Sequence, residues 1–209
     1  MSTNKVGIVD YDAGNLRSVI NAVRKAGGEP IVSSLPEVLS SCDRVILPGV
    51  GEASSAMGKL RERGLDTFIP TLTVPVLGIC IGLQLMSLSS DEGNATCMGI
   101  FPSRVRKITD LPGEDSPLKI KIPHMGWNSI SPEKENWDTP LLEGIEDGSY
   151  VYYVHSFAAT ISQSTLAVTS YGGHLFSAVL GKGNFLGCQF HPEKSGPVGE
   201  RMLRNFLSM

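Results

Sequence analysis

The sequence predicts an α/β fold: a central, mainly parallel sheet flanked by helices, with antiparallel strands appended. Three observations carry this. Through the first half of the chain, short apolar runs alternate with segments of helical spacing, the pattern of βαβ units. In the second half, strand-like runs separated by turn residues replace that alternation. Finally, 209 residues with 41% apolar content can fill one core, and 23 glycines suit many tight strand-to-helix turns.

Each element has its own signal. Lys5–Asp10 (KVGIVD) reads as a strand, and Asn15–Lys25 as a helix with Leu16, Val19, Ile20 and Val23 at helical spacing. Ile31–Ser33 and Arg44–Leu47 are short apolar strands, Ala53–Arg63 is helical, and Val74–Ile79 is a fourth strand leading to a helix around Gln84. Further on, strand patterns cover Arg104–Ile108, Lys119–Ile122, Tyr150–His155, Leu166–Ser170, Ala178–Leu180 and Phe185–Gln189, and Gly199–Leu207 supplies a closing helix. Asp110–Pro117 (DLPGEDSP) is polar and rich in turn formers, so a mobile surface loop is expected there. No composition shift marks a boundary, and one domain over residues 1–209 is expected.

Composition narrows the function. The formal charge is −3 with basic residues scattered, so the basic stripe of a nucleic-acid binder is missing. The same scatter argues against a large phosphorylated substrate held by this chain alone. The amino-terminal MSTNKVGIVD lacks the regions of a signal peptide, and no apolar run approaches the roughly 20 residues of a membrane span. A soluble, cytoplasmic protein is expected. Cys42, Cys80, Cys97 and Cys188 have no CxxC spacing and read as free thiols, and no metal or cofactor is expected.

Cys80 stands apart by its neighbours. In Val74–Gln84 (VPVLGICIGLQ) a buried strand runs into Gly78-Ile79-Cys80-Ile81-Gly82 and then a helix, the G-x-nucleophile-x-G elbow with Cys in place of Ser. The nucleophile of such an elbow sits on a strained turn, so the residues two before and two after must be small. The helix start favours thiolate, and the Ile81 amide lies where an oxyanion would develop. A buried structural cysteine is the ordinary alternative, and the choice turns on a partner base.

His191 is the candidate base. It follows an apolar strand in FLGCQFHPEK, and strand ends are where α/β sheets build sites. In an extended segment Glu193, two residues on, points the same way and can orient the imidazole. Cys80, His191 and Glu193 then make nucleophile, base and orienter. Two histidines compete for the role: His155 ends the strand YVYYVH, and His124 lies in the turn-rich IPHMGWN, while His174 sits beside glycines and reads as a turn residue. Periodicity does not choose among them.

The pairing of GICIGLQ with FHPEKS resembles the class I (triad) glutamine amidotransferases. DYDAGNLRSV at 10–19, LPGVG at 47–51, PHMGWN at 123–128, YYVHSF at 152–157 and QFHPEKSG at 189–196 resemble, within that family, the glutaminase subunits of imidazole glycerol phosphate synthase. The likeness runs in order from residue 5 to the last helix. It implies a flavodoxin-like α/β fold and hydrolysis of glutamine to glutamate and ammonia. Cys80 would form a γ-glutamyl thioester, His191 would move the protons, and Glu193 would hold its tautomer.

Pro48-Gly49-Val50-Gly51 resembles the oxyanion strand, where a peptide flip would set the Val50 amide, with Gly51 beside it, alongside that of Ile81; the glycines permit it. Gln84 and the Ser156–Phe157 backbone resemble the groups that hold the amino-acid end of glutamine. Asn15, Trp127, Tyr152 and Lys194 match the family's interface with a cyclase of (β/α)8 barrel type, giving a heterodimer. In histidine biosynthesis that partner would use the ammonia to split a phosphoribulosyl-formimino precursor into imidazole glycerol phosphate and aminoimidazole carboxamide ribotide.

One segment departs from the family pattern: Ser54 stands where a Phe is common, which puts a packing contact in question. Ile81 replaces a commoner Leu at equal volume. Three rival readings are a glutaminase subunit for another synthase, a non-catalytic binding module, and a cysteine hydrolase of another amide. PHMGWN argues against the first, and intact Cys80, His191 and Glu193 against the second.

Overall fold

A computed structural model describes residues 4–12, 15–113 and 120–209. In the first half, β1 (Lys5–Val9), α1 (Leu16–Ala26), β2 (Glu29–Ser33), α2 (Pro36–Ser40) and β3 (Arg44–Leu47) are followed by α3 (Ala53–Glu62) and α4 (Leu65–Phe68). Next come β4 (Val76–Ile79), α5 (Ile81–Leu85), β5 (Ser89–Ser90), β6 (Ala95–Thr96) and β7 (Arg104–Lys107). The remainder holds β8 (His124–Ser129), β9 (Ser131–Pro132), β10 (Tyr150–His155), β11 (Phe157–Ala159), β12 (Thr165–Tyr171), β13 (His174–Lys182), β14 (Phe185–Cys188) and α6 (Gly196–Ser208).

The main sheet has the order β2-β1-β3-β4-β14-β13-β12-β9. Its β2 to β14 portion is parallel, and β13, β12 and β9 extend it antiparallel. Parallel strands covered on both faces read as unbroken apolar runs, and every residue of β4 and β14 is buried. On one face α1 and α6 contribute Val19, Val23, Met202, Leu203 and Phe206 to the core; on the other, α3 and α5 contribute Met57, Leu60 and Leu83. Two smaller sheets, β10-β8 and β11-β7-β5-β6, lie beside it.

The carboxyl ends of β1, β3, β4 and β14 open together at the point where strand order reverses between β1 and β3. Crevices of this kind are where α/β sheets bind ligands. No helix among the described residues is long and apolar enough to cross a membrane.

Several expectations need correction. The 123–128 segment is not turn-rich: from His124 it is a strand, paired with β10 in the register Trp127↔Tyr152 and Gly126↔Tyr153. In Lys119–Ile122, Lys119 lies outside the described residues and 120–122 is not a strand. Ile120 and Ile122 pack against the core from irregular chain, so alternation there reflects burial and not a ladder. Of the expected Asp110–Pro117 loop, residues 114–117 lie outside the described residues; Leu111 is buried and Gly113 bridges to His174. His174 itself opens β13, and its Nδ1 meets the Leu111 carbonyl at 2.9 Å.

Candidate active site

The turn between β4 and α5 places Cys80 at φ 53, ψ −106, a conformation that costs a non-glycine residue about 1–3 kcal/mol. Its flanking glycines are required by contact. A Cβ on Gly82 would run into the Leu47 carbonyl, and one on Gly78 would meet Met86 and lie 2.7 Å from the Gly82–Leu83 backbone. Since α5 has only five residues, its positive end contributes less than a long helix would.

His191 follows β14 and is fixed through its backbone. Its N–H donates to the Tyr152 carbonyl at 2.9 Å, and its carbonyl accepts from Ser195 Oγ at 2.7 Å. Nδ1 lies 2.9 Å from Glu193 Oε1, and both side chains are 1% exposed. A carboxylate accepts, so Nδ1 keeps its proton and Nε2 is the nitrogen left to exchange one. Nε2 has no hydrogen-bond partner among the described residues and shares its cavity with Cys80. The His191–Glu193 contact is made differently from the expected extended segment. Pro192–Lys194 is a 3-10 turn, and Glu193 reaches back to the imidazole around it. Burial opposes charge on His191, but the proximity of Cys80 and Glu193 outweighs it and pushes the imidazole up to about 10.

The competing histidines are already engaged. His155 Nε2 lies 3.0 Å from His124 Nδ1, and His155 Nδ1 meets the Phe157 carbonyl at 2.8 Å. Both nitrogens of His155 are therefore used. His124 is stacked between Tyr153 and Tyr171. Burial pushes His124 down to about 4 and His155 down to about 3, so both are neutral near pH 7.

A cavity of about 210 Å³, open to solvent, brings the expected groups together. Val50, Gly51, Cys80, Ile81, Gln84, Ser156, Phe157 and His191 all line it. Tyr11 holds the segment before Val50, its hydroxyl donating to the Pro48 carbonyl at 2.8 Å. Gly49 is wedged between Tyr11 and Ile81: a Cβ there would stand 3.0 Å from Ile81 Cβ. Ser54 occupies its departing position by packing against the Gly93 turn.

Sequence reasoning missed three residues in this region. Glu92 also lines the cavity, with Oε2 accepting from the Ala53 amide at 3.1 Å. Burial, together with the charge of Glu52, raises its carboxyl above the usual range. A lone acid in a polar turn carries no motif, so nothing in the sequence marked it. Gln189, inside the quoted QFHPEKSG, lies 3.6 Å from Cys80 Sγ through Nε2. Met125, missed beside Trp127, was discoverable once 124–129 was read as a strand.

The expected interface residues divide. Trp127, 55% exposed, stacks edge-on to Tyr152 with centroids 5.9 Å apart, and Lys194 Nζ lies 5.9 Å from the Tyr152 ring centre. Exposed Met125 and Tyr150 extend this patch. Asn15 instead turns inward, donating from Nδ2 to Glu193 Oε1 at 3.0 Å.

The family pattern described as glutamine amidotransferase class-I matches residues 7–209. A relative from Bacteroides fragilis, the imidazole glycerol phosphate synthase subunit HisH, is 47% identical over 98% of this chain and 100% of its own length. The subunit of the same name from Escherichia coli K12 is 44% identical over 98% of this chain and 99% of its own. Among solved structures, a GMP synthase protein from Thermoplasma acidophilum superimposes with a TM-score of 0.73 at 19% identity, covering 100% of this chain and 94% of its own. That last likeness speaks to the fold alone.

Proposed function

The chain belongs to the class-I glutamine amidotransferases, in the branch of imidazole glycerol phosphate synthase HisH subunits, and from that premise we propose that it is a Cys-His-Glu glutaminase feeding ammonia to a cyclase in histidine biosynthesis. The observation that carries the chemistry is the His191–Glu193 pair, whose free Nε2 shares one cavity with Cys80 on a strained elbow.

The steps follow from that arrangement. His191 Nε2 takes the proton of Cys80 Sγ, and the sulfur attacks the side-chain amide carbon of glutamine. The Ile81 amide, joined by that of Val50 after rotation of the Gly49–Val50 peptide, receives the oxyanion. On collapse the C–N bond breaks, His191 returns its proton to the leaving ammonia, and a γ-glutamyl thioester remains. Water, deprotonated by His191, then releases glutamate and restores the thiol. Glu193 keeps Nδ1 protonated throughout. At the other end of glutamine, the Glu92 carboxylate and the unpaired Gln84 Oε1 suit the α-ammonium. The Ser156–Phe157 backbone suits the carboxylate.

The partner is a cyclase of (β/α)8 barrel type in a heterodimer, docked on Trp127, Tyr152 and Lys194 with Asn15 at the edge. A rim of exposed aromatic side chains beside one cation is the composition of a binding hot spot. The partner converts the phosphoribulosyl-formimino precursor to imidazole glycerol phosphate and aminoimidazole carboxamide ribotide. A shielded route keeps ammonia unprotonated and nucleophilic until it arrives. Ammonia release from glutamine, measured with and without the cyclase and its ligand, tests the reading. Slow release alone, strong acceleration with the loaded partner and no release by Cys80→Ser are expected. Release that survives Cys80→Ser overturns the chemistry, and equal rates with and without partner overturn the coupling.

A further inference from the structure

We infer that Gln189 is a positioning residue for the nucleophile, its side-chain N–H holding the sulfur of Cys80 in the anionic state. The inference rests on Cys80 being the nucleophile. Gln189 is fully buried, and its Nε2 stands 3.6 Å from Cys80 Sγ. Its orientation is dictated by a chain of neighbours. The Phe157 carbonyl can only accept, and Gln84 Nε2 stands 2.9 Å from it, so Gln84 presents its NH2 group there. The same NH2 group lies 3.0 Å from Gln189 Oε1. Gln189 therefore gives its oxygen to Gln84 and must turn its NH2 group to the sulfur.

Such a donor is selective for charge. A thiol is a weak acceptor and a thiolate a strong one, so the contact gains most when Sγ is ionised. That happens twice in the cycle. It happens before attack, when the sulfur lone pair is freed from its proton. It happens again at thioester hydrolysis, when the C–S bond breaks and its electron pair returns to Sγ. The other side chains around the sulfur do not substitute. Tyr11 and Cys188 would add like charge if ionised, and the Val154 carbonyl, 4.0 Å away, only accepts. His191 is the proton carrier and is consumed in that role.

Alkylation of the full chain by iodoacetamide, followed across pH by peptide mass spectrometry at each cysteine, tests this without substrate. In Gln189→Leu, Cys80 should reach half its limiting rate about one pH unit higher and react about tenfold more slowly near neutrality. Its kcat for ammonia release should fall about tenfold while KM changes little. Gln189→Met, which keeps length and adds no charge, carries the same test if the Leu variant does not fold. A pH profile unchanged from wild type in either variant overturns the inference while leaving the nucleophile intact. Wild-type Cys80 no more reactive than buried Cys42 overturns both.

Discussion

Asn15 Nδ2 and His191 Nδ1 converge on one oxygen of Glu193, at 3.0 and 2.9 Å. Asn15 stands at the helix-cap position before α1 in a left-handed conformation, φ 73, yet its side chain caps no helix amide. It donates to the Glu193 carboxylate instead. Replacing it by Ala should lower kcat about tenfold and cost about 1–3 kcal/mol of stability, from the lost hydrogen bond to a buried charge and from Ala in a left-handed turn. Steady-state ammonia release beside a thermal melt checks this, and an unchanged kcat would place Asn15 outside the triad.

Glu193→Gln should lower the titration point of His191, because burial then meets less opposing charge. NMR titration of the imidazole reads this directly. The sign for stability follows: a folded value near 10 above an unfolded value near 6.5 gives stabilisation that is complete below the unfolded value. It is lost as pH rises toward 10. Wild type should therefore lose melting temperature on the alkaline side, and Glu193→Gln should show a smaller loss.

The neutral pair His124–His155 makes the opposite prediction. With folded values near 4 and 3, the unfolded state binds more protons, so stability falls as pH drops below about 6.5. Each histidine contributes up to about 1.4 kcal/mol per pH unit. His124→Phe should flatten this acid slope. It should also cost about 1–3 kcal/mol at pH 7, because His155 Nε2 loses its donor. Denaturant melts between pH 4 and 8 decide.

Strain at the elbow has a thermodynamic signature. Cys80→Gly and Cys80→Ala should both abolish glutamine hydrolysis, but the Gly variant should be more stable by about 1–2 kcal/mol, since glycine tolerates φ 53. Equal stabilities would mean the turn is not strained.

Trp127→Ala should weaken binding of the cyclase by about 2 kcal/mol, roughly thirtyfold, while leaving the chain's own melt unchanged because the ring is largely outside the core. Calorimetric titration of the two proteins measures it.

Much of this was legible in the sequence because local pattern and fold agree. Apolar runs marked β1, β3 and β4, and the elbow glycines marked Cys80. What stayed hidden depends on contacts distant in sequence. Gln189 and Cys80 are 109 residues apart, and Asn15 and Glu193 are 178 apart. A neutral amide has no spacing rule that announces such a partner. β8 was hidden for another reason: Pro123 and Gly126 gave it turn chemistry, and Gly126 does adopt φ 137 inside the strand.

The position of β14 has a consequence for synthesis. It is later in the chain than every other strand of the main sheet, yet it lies in the middle, between β4 and β13. A nascent or truncated chain that stops before Phe185 leaves the parallel and antiparallel halves unjoined, each with an open edge. It also carries Cys80 without His191 and Glu193. Joining the two halves of the sheet and bringing His191 to Cys80 are therefore one event.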